Sequence, residues 1–338
     1  MAGEPDSGKK RSTIWEVARV AGVSHQTVSR YLRNEGGLRP ATREKIDKAV
    51  AELDYRPNLI ARSMRTRRSN RIAIVLPELT NFVPIPVLRG ASAAARAAGY
   101  TTDVVGLEGD EKRRAEGTLS LLDSQQIEGV LSFTPLSDRV IEAAGRRPIV
   151  VYGEYDDRMH SRGNLADGKP AGMIVRHLAD LGHRRFLHVA GADDWASAVN
   201  RRQVYELTIA ELGLESYGVV EGDWSMASGY EAARDLPANS GVTAVLAAND
   251  YVAMGVIRGF QDRGVRVPQD VSVFGWDNEE FTRYFLPSIS TVDSDRETIG
   301  RQAMTRLIAL IRDEPQPAIE LESLFTLVPR ASSGPPPR

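Results

Sequence analysis

Gln26, Ser29, Arg30 and Arg33 recur at helical spacing and make one continuous polar stripe, with His25 and Gln26 in the first turn after Ser24. These residue types suit base edges and phosphates. A glutamine amide pairs with adenine through two hydrogen bonds, a guanidinium does the same with guanine, and Ser or Thr hydroxyls hold phosphate oxygens. The first turn of a recognition helix is where side chains reach base edges. A small helical bundle with a merely solvated face would also be polar, but would not need this mixture of forked donors and acceptors.

The surrounding residues supply the elements to present that stripe. Val28, Tyr31 and Leu32 form the inward side of the same helix. Before it, Ile14, Val17, Ala18 and Ala21 give one apolar helical face, started by a Thr13–Glu16 capping box and ended by Gly22. Ser24 caps the second helix, and a third follows Pro40 with Ile46, Ala49, Val50 and Leu53 as its buried stripe. Three short helices with a sharp glycine turn between the first two describe a helix-turn-helix. Charge agrees: residues 1–71 carry 16 Lys and Arg against 8 Asp and Glu, whereas the remainder carries 27 against 37. A basic amino-terminal fifth on an acidic body is the footprint of a nucleic-acid module.

The runs Ile14-Trp15-Glu16-Val17-Ala18, Ala21-Gly22-Val23-Ser24 and Thr27-Val28-Ser29-Arg30 resemble the headpiece of the lactose-repressor (LacI/GalR) family, as do Thr42–Ile46 and Leu53–Asn58. The resemblance implies that His25, Gln26 and Arg30 read the major groove and that Ser24, Thr27, Ser29 and Asn34 contact the DNA backbone. After Pro57, Asn58 can cap a helix of about two turns, too short to be stable alone. By resemblance this is a hinge helix, with Ala61 in its body, that enters the minor groove and wedges an apolar side chain between base pairs. The usual wedge is leucine; the matching residue here is Met64.

From Arg71 onward short apolar strands alternate with helices. Strands are expected at Ile72–Leu76, Thr102–Val105, Gly129–Phe133, Ile149–Tyr152, Phe186–Val189, Gly218–Val220, Ala244–Ala247 and Val271–Phe274. Helices are expected near 86–98, 111–125, 167–181, 198–212, 226–235, 250–263 and 296–312. This alternation implies parallel sheets covered by helices, in one sheet or in two lobes. Ligands bind at the carboxyl ends of such strands, which makes Asn81, Phe82 and Phe133 pocket candidates. The segments Leu178–His183, Glu221–Ser225, Asn249-Asp250 and Phe274–Asp277 resemble the two-lobe, periplasmic-binding-protein-like domain of the same family. Carried over, the effector contacts are Arg201, Trp224, Asn249 and Asp277. The chemistry suits a mono- or oligosaccharide, since Arg, Asn and Asp offer forked partners for hydroxyls and an indole offers an apolar platform. Each also has a plainer role: Asn249-Asp250 as a helix cap, Trp224 as core, Asp277 as a turn residue. Where the family often places an acidic contact, this chain has Gly153 followed by Glu154.

The expected fold class is thus α/β: a three-helix headpiece (12–57) after a disordered tail (1–11), a hinge helix and linker (58–70), and a two-lobe sensor (71–330) with parallel sheets. The lobes are expected at 71–164 plus 296–322 and at 165–295 plus 323–330, and the Ser-, Gly- and Pro-rich tail 331–338 is expected to be disordered. A homodimer is expected, because one helix-turn-helix reads only a half-site of a pseudo-palindromic operator. The tail lacks apolar heptads, so a carboxy-terminal coiled coil is not expected. The chain has no cysteine, which excludes thiolate chemistry and suits a reducing cytoplasm. No window nears the roughly 18 apolar residues that span a bilayer. Gly163–Lys169 has the outline of a phosphate loop, but Pro170 stands where Ser or Thr should hold magnesium. The histidines lack metal-ligand spacing and no Gly-x-Ser-x-Gly elbow occurs. No enzyme activity, cofactor or metal is therefore expected. The rivals are an exported sugar-binding protein, opposed by the polar amino terminus and basic headpiece, and a sugar-active enzyme, which should show a credible cofactor loop.

Overall fold

In the computed structural model, residues 12–32, 37–55, 68–76, 84–156, 158–317 and 324–337 are described. They fall into two compact units, Met1–Ser69 and Asn70–Arg338.

The first unit holds α1 (Ile14–Ala21), α2 (His25–Leu32) and α3 (Pro40–Glu52). The capping box forms as the spacing predicts: Glu16 N–H donates to Thr13 Oγ1 at 3.3 Å and Thr13 N–H to Glu16 Oε2 at 2.7 Å. Gly22 ends α1 with φ +64°, a left-handed conformation that a side chain would strain. Val17, Val28 and Ile46, one from each helix, are fully buried and meet in a single small core with Ala18, Ala21 and Ala49. The Tyr31 hydroxyl donates to the Asp47 carboxylate, tying α2 to α3.

The second unit has two four-stranded sheets among the described residues, with every strand pair inside each sheet parallel. One has the order β2-β1-β3-β4: β1 (Arg71–Leu76), β2 (Thr101–Gly106), β3 (Gly129–Ser132), β4 (Ile149–Val151). Its helices are α4 (Ile85–Ala97), α5 (Glu111–Asp123) and α6 (Asp138–Ala144). The other has the order β6-β5-β7-β8: β5 (Arg185–Val189), β6 (Glu215–Val220), β7 (Ala244–Ala247), β8 (Ser272–Phe274). It carries α7 (Lys169–Asp180), α8 (Ala196–Glu211), α9 (Met226–Asp235) and α10 (Asp250–Asp262). Then β9 (Thr291–Asp293) leads to α11 (Arg296–Ile311), which returns to the first lobe, and β10 (Thr326–Val328) pairs antiparallel with β9.

Burial explains why the strands read as apolar runs. Ile72, Ile74 and Leu76 point into one core and Ala73 and Val75 into another, so both faces of β1 are covered. The core on the first side also takes Ile299, Ala303, Met304 and Leu307 from α11, which therefore belongs to the first lobe although it follows the second in sequence. The helices α4 and α11 cross backbone on backbone. A Cβ on Gly300 would lie 1.9 Å from the Val87 carbonyl oxygen, and one on Gly90 would lie 1.8 Å from that of Glu297.

The carboxy-terminal tail is a correction. Its Ser, Gly and Pro content predicts disorder, yet residues 331–337 are docked along the second lobe. Ser332 is fully buried; its carbonyl accepts from Val273 N–H, and its hydroxyl donates to the Val273 carbonyl and accepts from Ser290 N–H. The Gly334 carbonyl accepts hydrogen bonds from the Ser272 hydroxyl and the His183 ring. The tail thus covers the exposed edge of β8, using backbone and hydroxyl groups rather than apolar side chains. Among the described residues no helix is long and apolar enough to cross a membrane.

Candidate nucleic-acid interface and effector cleft

At the start of α2, Ser24 Oγ accepts from Thr27 N–H at 3.2 Å and lies 2.8 Å from Thr27 Oγ1. The two hydroxyls cap the helix together and stay near the surface. Gln26 and Arg30 are exposed one turn apart, as the spacing predicts. His25 does not stand free: its imidazole stacks on the Trp15 indole, ring centroids 4.1 Å apart at 30°. Ser29 departs from expectation. It is only 6% exposed, and with Val28 it is one of the two buried residues of α2. Ser29 is therefore largely withdrawn from the outer stripe. Asn34, Asn58, Ala61 and Met64 lie outside the described residues.

In the sensor, three sequence-predicted effector residues meet near one side chain. Arg201, on α8, is 4% exposed and donates to the Ala248 carbonyl. Its guanidinium lies 3.9 Å from the ring centre of Trp276 and 5.4 Å from that of Trp224. Burial pushes it down to about 10, opposed by the nearby Asp277 carboxylate, so it remains charged at neutral pH. Trp224 has φ +69° and lies flat on Gly191, where a Cβ would come within 2.4 Å of the indole. Its carbonyl accepts from Asn249 Nδ2 at 3.1 Å, while Asn249 Oδ1 accepts from Val252 N–H at 2.7 Å. Asn249 thus caps α10 and clamps the Trp224 loop, and both ends of its amide are engaged by the protein.

Asp277 sits at φ +108°, its N–H held by the Val292 carbonyl, and its carboxylate accepts from Arg296 at the start of α11. Both side chains are largely buried, 18% and 16% exposed. Since α11 packs on the first lobe, this ion pair fastens the second lobe to the first. Next to it, Asp250 is fully buried, accepting from Thr291 Oγ1 at 2.7 Å and Glu279 N–H at 2.9 Å. Burial, reinforced by Asp277, pushes its carboxyl up to about 8.

Three buried donors in this region, Arg201 Nε, Trp224 Nε1 and Arg296 Nε, have no hydrogen-bond acceptor among the described residues. Buried unpaired donors are costly in an apolar setting, and a ligand rich in oxygen acceptors would satisfy them. Trp276, Arg296 and Trp195 are not among the effector residues expected from sequence. Trp195 stacks on His160, centroids 3.9 Å apart, and leans on Trp224 at 5.2 Å. Its signal was its place just before α8, one helical turn and a half ahead of Arg201.

Four other candidates are corrected or set aside. Phe133 is fully buried and packs edge-on to Tyr152 at 6.5 Å in the core of the first lobe, because the chain turns inward directly after β3. It is a core residue and presents no surface to a ligand. Asn81 and Phe82 lie outside the described residues. Glu154 does not replace the family acid either: its carboxylate is buried and accepts from Asn164 Nδ2 at 2.9 Å and Leu165 N–H at 3.0 Å, bracing the crossover between lobes. Among the described residues no group of three His, Cys, Asp or Glu side chains is placed to hold a metal.

Comparison with known proteins agrees with both halves. Residues 13–58 match the model of the lacI family of bacterial regulatory proteins, and residues 175–333 match a periplasmic binding protein-like domain. The lactose operon repressor of Escherichia coli K12 is 29% identical over 309 residues, covering 89% of this chain and 85% of that protein. The structure of the Lac repressor dimer bound to operator and the anti-inducer ONPF superposes with a TM-score of 0.70 at 27% identity, over 96% of this chain and 100% of that one. The complex of the transcriptional regulator CelR with cellobiose gives a TM-score of 0.58 at 28% identity, over 95% and 100%. The chain is a DNA-binding transcriptional regulator of the bacterial lacI family.

Proposed function

We propose that the protein is a cytoplasmic, homodimeric repressor that reads a pseudo-palindromic operator and changes its affinity when a sugar binds between the sensor lobes. On the DNA side, Gln26 and Arg30 read base edges with His25, while Ser24 and Thr27 hold phosphates. On the ligand side, Trp224 is the platform, and Arg201, Arg296 and Asp277 are the polar partners. The observation that carries the ligand reading is the pair of buried, unpaired guanidinium donors of Arg201 and Arg296 near the Asp277 carboxylate, together with the Trp224 indole, whose own Nε1 is also unpaired. Mono- and oligosaccharides match that set, because their ring faces are apolar and their hydroxyls accept as well as donate. A relative in complex with cellobiose supports the sugar class. Occupancy alters lobe orientation, and operator affinity changes by a coupling free energy of about 1–3 kcal/mol.

The test is a binding titration of the full chain against a randomised duplex pool, with sequencing of the bound fraction, with and without a panel of mono- and disaccharides. An enriched palindrome whose retention changes with one sugar supports both halves. An enriched palindrome indifferent to every sugar would overturn the sugar reading and leave DNA recognition standing.

A further inference from the structure

Trp15, the single tryptophan of the headpiece, is 64% exposed and takes no part in the bundle core. What it does touch is His25. The two rings stack with centroids 4.1 Å apart and an interplanar angle of 30°. Each ring stands on a fixed base. Trp15 is in the first turn of α1, pinned by the Thr13–Glu16 capping box, and His25 is the first residue of α2, pinned by Ser24 and Thr27.

A histidine at a helix start has several staggered χ1 and χ2 wells open to it, and its two ring nitrogens point differently in each. A base pair is read only by the rotamer that aims one nitrogen at the groove. Stacking against a flat neighbour removes most of the other wells before DNA arrives, which lowers the ordering cost of the contact. We propose that Trp15 is a positioning residue for sequence reading: its indole fixes the His25 imidazole, so discrimination at the base pair His25 reads depends on a side chain in another helix. Trp15 itself reads no base. This inference rests on His25 being a base reader.

The test uses the full chain in five forms: wild type, Trp15→Ala, Trp15→Phe, His25→Ala and the Trp15→Ala/His25→Ala double variant. Each is run through selection from a randomised duplex pool, with far-UV circular dichroism melts as a folding check. The exposure of Trp15 makes loss of the headpiece fold an unexpected result, and Trp15→Phe, which keeps a flat ring, covers that case. His25→Ala should flatten one symmetry-related pair of positions in the palindrome. Trp15→Ala should flatten the same pair, lowering discrimination there by about three- to tenfold, with the other positions kept. Trp15→Phe should restore most of it, and the double variant should lose no more than His25→Ala alone. If Trp15→Ala leaves that pair intact, or weakens all positions alike, the inference is overturned while His25 stays a reader. If His25→Ala changes no position, the reading of His25 fails and the inference falls with it.

Discussion

Replacing Asp277 with asparagine should loosen the sensor without changing which DNA sequence is selected. Asparagine tolerates the φ of +108° at this position better than other uncharged residues, so the backbone is not the variable. What changes is the charge facing Arg296. Removing one partner of a fully buried ion pair costs about 3–5 kcal/mol, because the other charge stays buried. Here the side chains are 18% and 16% exposed, and the amide oxygen can still accept from Arg296, which brings the expected loss to about 2–3 kcal/mol. Urea unfolding of the full chain, followed by tryptophan fluorescence of the sensor, measures it. The companion is Arg296→Met. If the pair is the tie described above, Asp277→Asn with Arg296→Met should lose less than the sum of the single losses by about 2 kcal/mol. Additive losses, or a single loss below about 0.5 kcal/mol, would show a solvent-screened contact and refute the reasoning.

Gln26→Ala should weaken operator binding by about 1–3 kcal/mol and relax base preference, whereas equal loss on operator and random DNA, read by competition titration, would deny it a base-reading role. Asp250 has a folded pKa pushed up to about 8, above its unfolded value of about 3.9, so the folded state binds the extra proton and stability falls as pH rises from about 4 to about 8. Asp250→Asn should flatten that slope in urea midpoints collected across the range; identical slopes in the two proteins would contradict the buried-acid account. Ser332→Ala removes a hydroxyl that both serves the Val273 carbonyl and accepts from Ser290 N–H, and should cost about 2–4 kcal/mol in thermal or urea unfolding, against no effect for a disordered tail. Gly300→Ala drives a methyl into the Val87 carbonyl at the α4–α11 crossing and should cost about 3 kcal/mol or more, with unchanged melting as the contrary result.

The doubly covered strands were the most legible part of the chain. Ala244–Ala247 is buried at every position, so a short apolar run marks it end to end. By contrast only the last three residues of β6 were anticipated, since Glu215, Ser216 and Tyr217 are exposed on an edge strand and carry no apolar pattern. The seven-residue α6 buries only Val140 and Ala144, too few for a helical period to stand out. The tail was misread for a different reason. Composition measures the apolar surface a segment can bury, and this segment is held by hydrogen bonds to a strand edge. Within the site, Arg201, Trp224 and Asp277 came through resemblance of motif, and their convergence has a physical basis in the strand ends and loops that carry them. Phe133 and Ser29 failed because their neighbours in sequence set the position but not the side to which the chain turns. Arg296 could not be read at all: it opens a helix belonging to the other lobe, and only the returning chain brings it to Asp277.

That return also limits what a ligand can do. A ligand shifts a conformational equilibrium only by its differential affinity for the two states. Asp277 is the acid expected to bind a sugar hydroxyl, yet in this structure it is the partner of Arg296 across the lobes. A ligand that takes over part of the carboxylate must share or replace that bond, and the donors it leaves or fills are Arg296 Nε, Arg201 Nε and Trp224 Nε1. The competition therefore sits at the tie between the lobes, and not at a contact internal to one of them. A pair coupling of about 2 kcal/mol falls within the coupling of about 1–3 kcal/mol typical of allosteric sites. A much stronger pair would hold the lobes against any ligand, and a much weaker one would leave binding without a consequence. It follows that Arg296→Met, which also removes one polar partner of the ligand, should weaken sugar binding modestly and reduce the response of operator affinity by a larger factor. Binding and response, measured separately by calorimetry and by operator titration, should part company in that variant. If both survive unchanged, coupling runs through some other contact between the lobes.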